Sequence, residues 1–102
     1  MIQSSDTNAQ YPSLRGKSVF ITGGGTGIGE VMVEQFSAQG AKVCFVDVNR
    51  EKSQALVERV SQRYGADVLF IECDIRDIAC LERAIAKAGE VNGDVSVLVN
   101  NA

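Results

Sequence analysis

The run Thr22-Gly23-Gly24-Gly25-Thr26-Gly27-Ile28-Gly29 constrains this chain more than any other stretch. Before it, Ser18-Val19-Phe20-Ile21 reads as a buried strand. After it, apolar residues recur at helical spacing from Glu30 to Gln39. The glycines therefore sit where a strand turns into a helix. Glycine lacks a Cβ, so the backbone can turn tightly there and lie close to a bulky anion. The first turn of the helix adds unpaired N–H groups and the positive end of its dipole. A pyrophosphate is the natural occupant, and a Gly-rich turn with no ligand fits this context less well.

The spacing narrows the choice. Gly23, Gly27 and Gly29 give G-x-x-x-G-x-G, and the common fingerprint G-x-G-x-x-G is absent in every register. No Gly-Lys-Ser/Thr follows, so the turn is not a P-loop. The full pattern T-G-x-x-x-G-I-G resembles the signature of the short-chain dehydrogenase/reductase family.

The chain has 102 residues, a net charge of −3 and 45% hydrophobic residues, which describes one globular domain or part of one. Mild acidity argues against nucleic acid as a partner. No apolar run approaches the length of a membrane span, and the polar N-terminus lacks a signal peptide's apolar core, so a cytoplasmic location is expected. Cys44, Cys73 and Cys80 form no C-x-x-C and histidine is absent, which leaves no set of zinc ligands. Cys44 and Cys73 fall in apolar strand-like runs as small hydrophobes, Cys80 falls on a helix, and all three are expected to be reduced.

Residues 1–13 are polar, with Pro12 near their end, and read as a flexible leader; residues 14–102 form the folded unit, with Leu14 as its first core contact. Strands are expected over 17–22, 43–47, 68–74 and 95–99. The first helix carries the stripe Ile28, Met32, Val33 and Phe36 and ends at Gly40. The second, capped by Asn49, buries Ala55, Leu56 and Val60 and ends at Gly65. The third, capped by Asp77, carries Ile78, Leu81, Ile85 and Ala88. The alternation β-α-β-α-β-α-β with short connections implies a parallel sheet of α/β class. Winding one way from the first strand and then reversing gives a Rossmann-type order 3-2-1-4, the first part of a doubly wound fold. The reversal opens a crevice at the carboxyl ends of the strands, beside the glycine turn. The fourth strand is then an exposed edge, and it favours pairing with another chain.

Gly23, Gly25, Thr26, Gly27, Ile28 and Gly29 are the candidate phosphate cradle. Asp47 ends the second strand, 18 residues beyond Gly29, where a carboxylate can accept from both ribose hydroxyls of an adenosine. It would repel a 2′-phosphate. Thr26 and Val48 are uncharged, and Arg50 is the one nearby cation, so NAD is favoured over NADP. Standing alone, Asp74 could equally begin a turn or cap the next helix.

The family resemblance adds roles. It implies that Asp74 accepts from the adenine amine while Ile75 packs on the ring. Asn100-Asn101-Ala102 matches the start of the family's N-N-A-G segment. That match implies that Asn100 lies near the coenzyme ribose and that the Thr22 hydroxyl ties its strand to the backbone of Asn101. The resemblance spans about residues 14–102. It implies hydride transfer between nicotinamide and a carbonyl or secondary alcohol, and frequent homo-oligomers. The family's catalytic tyrosine, with a lysine four residues later, belongs to the segment after N-N-A-G. Here Arg15 follows Tyr11 at that interval and Val68 follows Tyr64, so no catalytic residue is assigned. The rival readings are a non-catalytic nucleotide-binding module and an S-adenosylmethionine-dependent methyltransferase. The methyltransferase leaves the paired asparagines unexplained, and it favours an acid ahead of the glycines where Phe20 and Ile21 stand.

Overall fold

The computed structural model describes residues 14–25 and 27–101. The leader expected over 1–13, together with Thr26 and Ala102, lies outside the described residues.

Four strands and three helices alternate: β1 (Ser18–Thr22), α1 (Gly27–Ala38), β2 (Lys42–Asp47), α2 (Arg50–Tyr64), β3 (Leu69–Glu72), α3 (Ile78–Asn92) and β4 (Val95–Asn100). The strands form one parallel sheet in the order β3-β2-β1-β4. The order places β1 and β2, with their apolar middles, at the centre of the sheet. Ser18 to Thr22 of β1 are all buried, as are Val43 to Val46 of β2.

Alternation then sorts these residues onto two faces. Val19, Ile21, Val43 and Phe45 meet Val33 of α1 and Leu56 and Val60 of α2. Phe20, Cys44 and Val46 meet Ala84 and Ala88 of α3. Both faces are covered, so the central strands read as continuous apolar runs. Burial without a charge partner pushes the Cys44 thiol up to about 12, so it stays a neutral filler.

The helix boundaries follow local chemistry. The Asn49 side chain accepts from Lys52 N–H, and that of Asp77 from Cys80 N–H, each at 3.1 Å. Gly65 closes α2 in the left-handed conformation with its N–H on Ser61 O. Leu14 is buried, as expected of the first core contact.

Three expected apolar faces are corrected. Helix α1 buries Gly29, Val33 and Ser37, and Ile28 is 68% exposed. The cause is the tight approach of Gly29 to Gly23 O, which sets the helix rotation before Ile28 can turn inward. Helix α2 buries Ser53 beside Leu56 and Val60, and Ala55 is exposed. Helix α3 turns Ala84 and Ala88 to the sheet, leaving Ile78 and Ile85 exposed. Small alanines let the helix lie close over the bulky Phe20, a fit that wide isoleucines would prevent.

Candidate functional site

The carboxyl ends of β1, β2 and β3 and the turns that leave them form one site. It begins with how the glycine turn is held. Gly23 and Gly24 donate their N–H groups to Val46 O at 2.8 and 3.3 Å. Gly25 N–H donates to Asp47 Oδ2 at 3.0 Å. The turn is thereby stitched to the end of β2, and the acid 22 positions away in sequence is part of the same structure.

Two kinds of constraint require glycine here. Gly23 and Gly27 have φ of 69° and 59°, a region side chains disfavour. Gly24, Gly25 and Gly29 have ordinary φ but no room. A Cβ on Gly24 would lie 2.7 Å from the Phe45 ring, and one on Gly25 would meet the Ser53 hydroxyl and come within 3.1 Å of Asp47 Oδ2. On Gly29 it would collide with Gly23 O and lie 2.8 Å from Asn101 Nδ2.

Helix α1 starts directly from this turn. An α-helix leaves its first N–H groups without intrahelical acceptors, and in α1 these belong to Gly27, Ile28 and Gly29. The one acid in that turn, Glu30, is engaged by Arg59 of α2, which also holds Glu34 at 2.8 Å. Its charge is thereby compensated beside a place suited to an anion.

Asp47 is fixed from two sides. Oδ2 takes Gly25 N–H, and Oδ1 takes Asn49 N–H at 2.8 Å. A carboxylate offers about four acceptor positions, so two remain. That is the number a vicinal diol needs, and the donor set therefore fits an adenosine ribose.

Beside Asp47 runs a cleft of about 240 Å³ lined by Gly23, Val46, Val48, Cys73, Asp74, Ile75 and Arg76. It brings together Gly23, Asp47, Asp74 and Ile75, four of the residues the sequence singles out. Asp74 is not free: Oδ1 accepts Arg76 N–H and Nε–H at 2.9 and 3.0 Å, and Oδ2 accepts Nη2–H at 2.7 Å. These bonds hold its carboxyl down at about 2. Burial, followed by the neighbouring Cys80 thiol, pushes Cys73 up, so the cleft wall there is neutral.

Asn100 stands apart from this cleft. It ends β4 opposite Thr22 and lines an apolar groove with Leu14, Met32, Phe36 and Val97 to Val99. Its Oδ1 accepts the Thr22 hydroxyl at 3.1 Å, while Asn101 N–H donates to Thr22 Oγ1 at 2.9 Å. The expected tie from Thr22 to the Asn101 backbone is present. Thr26, the remaining cradle candidate, lies outside the described residues.

Three residues escaped sequence reasoning. Arg76 corrects the view of Arg50 as the one nearby cation. The β3–α3 loop swings Arg76 into the cleft, while Arg50 is held by Glu72 at 2.6 Å. The Asn101 side chain clamps the turn by donating to Gly23 O at 3.1 Å. Ser53 lies under Gly25, and nothing local in α2 signals that.

The short chain dehydrogenase family model matches residues 17–102. A probable galactose dehydrogenase of Rhizobium meliloti is 45% identical over 95 residues, covering 93% of this chain and 37% of that protein. A D-xylose 1-dehydrogenase of Caulobacter vibrioides is 41% identical over 98 residues, covering 94% and 37%. Among solved structures, a short-chain dehydrogenase/reductase of Serratia marcescens superposes with a TM-score of 0.84 at 35% identity, over 90% of this chain and 37% of that one. A short chain dehydrogenase of Burkholderia cenocepacia in complex with NADP gives 0.80 at 32% identity, over 87% and 36%. The chain thus spans 37% of the length of the two sugar dehydrogenases it matches.

Proposed function

The chain belongs to the short-chain dehydrogenase family, and from that premise we propose that it holds the adenosine diphosphate end of NAD in an oxidoreductase. The observation that carries this reading is the bond from Gly25 N–H to Asp47 Oδ2 at 3.0 Å, which makes the glycine turn and the acid one device. In this reading Gly23, Gly25, Thr26, Gly27, Ile28 and Gly29 cradle the pyrophosphate, with the first-turn N–H groups of α1 as donors. Asp47 accepts the two ribose hydroxyls. Ile75 packs on the adenine, and Asp74 accepts from its amine by exchanging one of its four bonds from Arg76. Asn100 acts from β4, nearer the other ribose.

The bound coenzyme supplies hydride transfer to or from a carbonyl or secondary alcohol. In this reading residues 14–102 supply the coenzyme-binding part of that reaction, and no catalytic residue is assigned among them. The preference for NAD rests on charge. Asp47 repels a 2′-phosphate, and the two nearby cations, Arg50 and Arg76, are engaged by Glu72 and Asp74. All three cysteines are free, which suits a reducing compartment, and a cytoplasmic location is part of the proposal.

Calorimetric titration of NAD and NADP into the wild type and Asp47→Ala tests the reading. The wild type is expected to prefer NAD. The variant is expected to lose about tenfold in NAD affinity, the worth of a hydrogen bond to a charged group, and to discriminate less against NADP. Equal preference in the two proteins would remove Asp47 from the site.

A further inference from the structure

We infer that Ser53 is a positioning residue of the ribose subsite, a buried hydroxyl that serves as reserve donor to the Asp47 carboxylate. This rests on the assignment of Asp47 to the coenzyme ribose and goes beyond it. Ser53 is 0% exposed, and its Oγ has no hydrogen-bond partner among the described residues. A buried hydroxyl in that condition costs stability, so its presence asks for a reason. Its location supplies one. A Cβ on Gly25 would collide with Ser53 Oγ and lie 3.1 Å from Asp47 Oδ2, so the two oxygens flank one point beneath the turn.

The rest of the local bonding explains why a reserve donor is useful. Asp47 is held by two backbone N–H groups, which cannot move without moving the turn and the start of α2. Ribose hydroxyls on the two remaining acceptor positions draw on the carboxylate and lengthen the Oδ2 bond to Gly25 N–H without breaking it, so Oδ2 can be shared with a second donor. The Ser53 O–H rotates freely about its C–O bond and can follow it. A hydrogen bond to a charged group in so dry a place is stronger than one in water.

The signs of two measurements separate this role from plain packing. Ser53→Ala removes an unpartnered hydroxyl, so its melting temperature is expected to equal or exceed that of the wild type. Its NAD affinity is expected to fall about tenfold, with NADP affinity little changed. In an Asp47→Ala background the same substitution is expected to have no further effect on NAD binding, because the partner is gone. A lower melting temperature for Ser53→Ala overturns the inference, since the hydroxyl would then already be bonded in the free protein. Unchanged NAD affinity in Ser53→Ala, with normal binding by the wild type, overturns it while leaving the Asp47 reading intact. Failure of the wild type to bind NAD overturns both.

Discussion

Asp74 and Arg76 show how a residue's neighbours set its chemistry. Arg76 reaches back two positions with its side chain and its backbone N–H, and together they hold the Asp74 carboxyl at about 2. A carboxyl lowered in the folded chain stabilises it above the unfolded value near 4, and that contribution disappears as pH falls toward 2. Arg76 is 87% exposed, so water screens the pair and its net worth is small. The Asp74 carboxyl carbon, followed by NMR, should titrate near pH 2. In Arg76→Ala it should rise part of the way toward the ordinary aspartate range, because the backbone N–H remains, with little change in melting temperature. A midpoint near 4 in the wild type would mean the ion pair does not form in solution. Phe45 is the opposite case: fully buried, its ring 5.1 Å from Phe70 and lying under Gly24. Phe45→Ala should cost about 3–5 kcal/mol in denaturant unfolding. A loss below about 1 kcal/mol would show that the site refills.

Among the elements, α3 depends most on its ends and on small residues. Asp77 satisfies the Cys80 N–H at its start, and Ala84 and Ala88 carry its contact with Phe20 and Val46. Asp77→Ala should lower stability by about 1 kcal/mol in a urea titration, the usual value of a capping side chain. No measurable change would mean that water satisfies the end equally well. The caps of α2 and α3 were legible in the sequence because they depend on neighbours three positions away. The helix faces were not. In α3 the isoleucines and the alanines both recur at helical spacing, and which set turns inward depends on the size of the strand residues beneath. In α1 the choice was made by Gly29 pressing on Gly23 O, an interaction between turn and helix that periodicity does not encode.

For the molecule as a whole, the sheet order leaves β4 as an edge of the described sheet. Its residues alternate between half-buried and exposed, and Leu98, beside Phe20 on the α3 face, is 63% exposed. The groove between β4 and α1 is lined by Leu14, Met32, Phe36, Val97 and Val99. Unpaired backbone groups along such a strand favour pairing with another chain. Residues 1–102 expressed by themselves are therefore expected to self-associate at micromolar concentration in sedimentation velocity, and Leu98→Lys to shift them toward monomer with circular dichroism unchanged. A wild-type chain that sediments as a clean monomer would count against this.

Taken alone, the sequence determined the α/β alternation, the parallel order in which the strands wind and the glycine turn at a strand–helix junction. It also placed Asp47 at the end of the second strand. Each of these is written in neighbours, in spacing or in unbroken runs of apolar residues. The third strand, expected to run on to Asp74, stops at Glu72 and leaves Asp74 in the loop that follows. Tertiary structure alone decided that Gly25 bonds to Asp47, that Ser53 lies beneath them, that Arg76 enters the cleft and that Asn101 clamps the turn. Those relations join residues from separate strand–helix units. They come into existence only when parallel strands align their carboxyl ends, because the register of the sheet sets which turn meets which side chain.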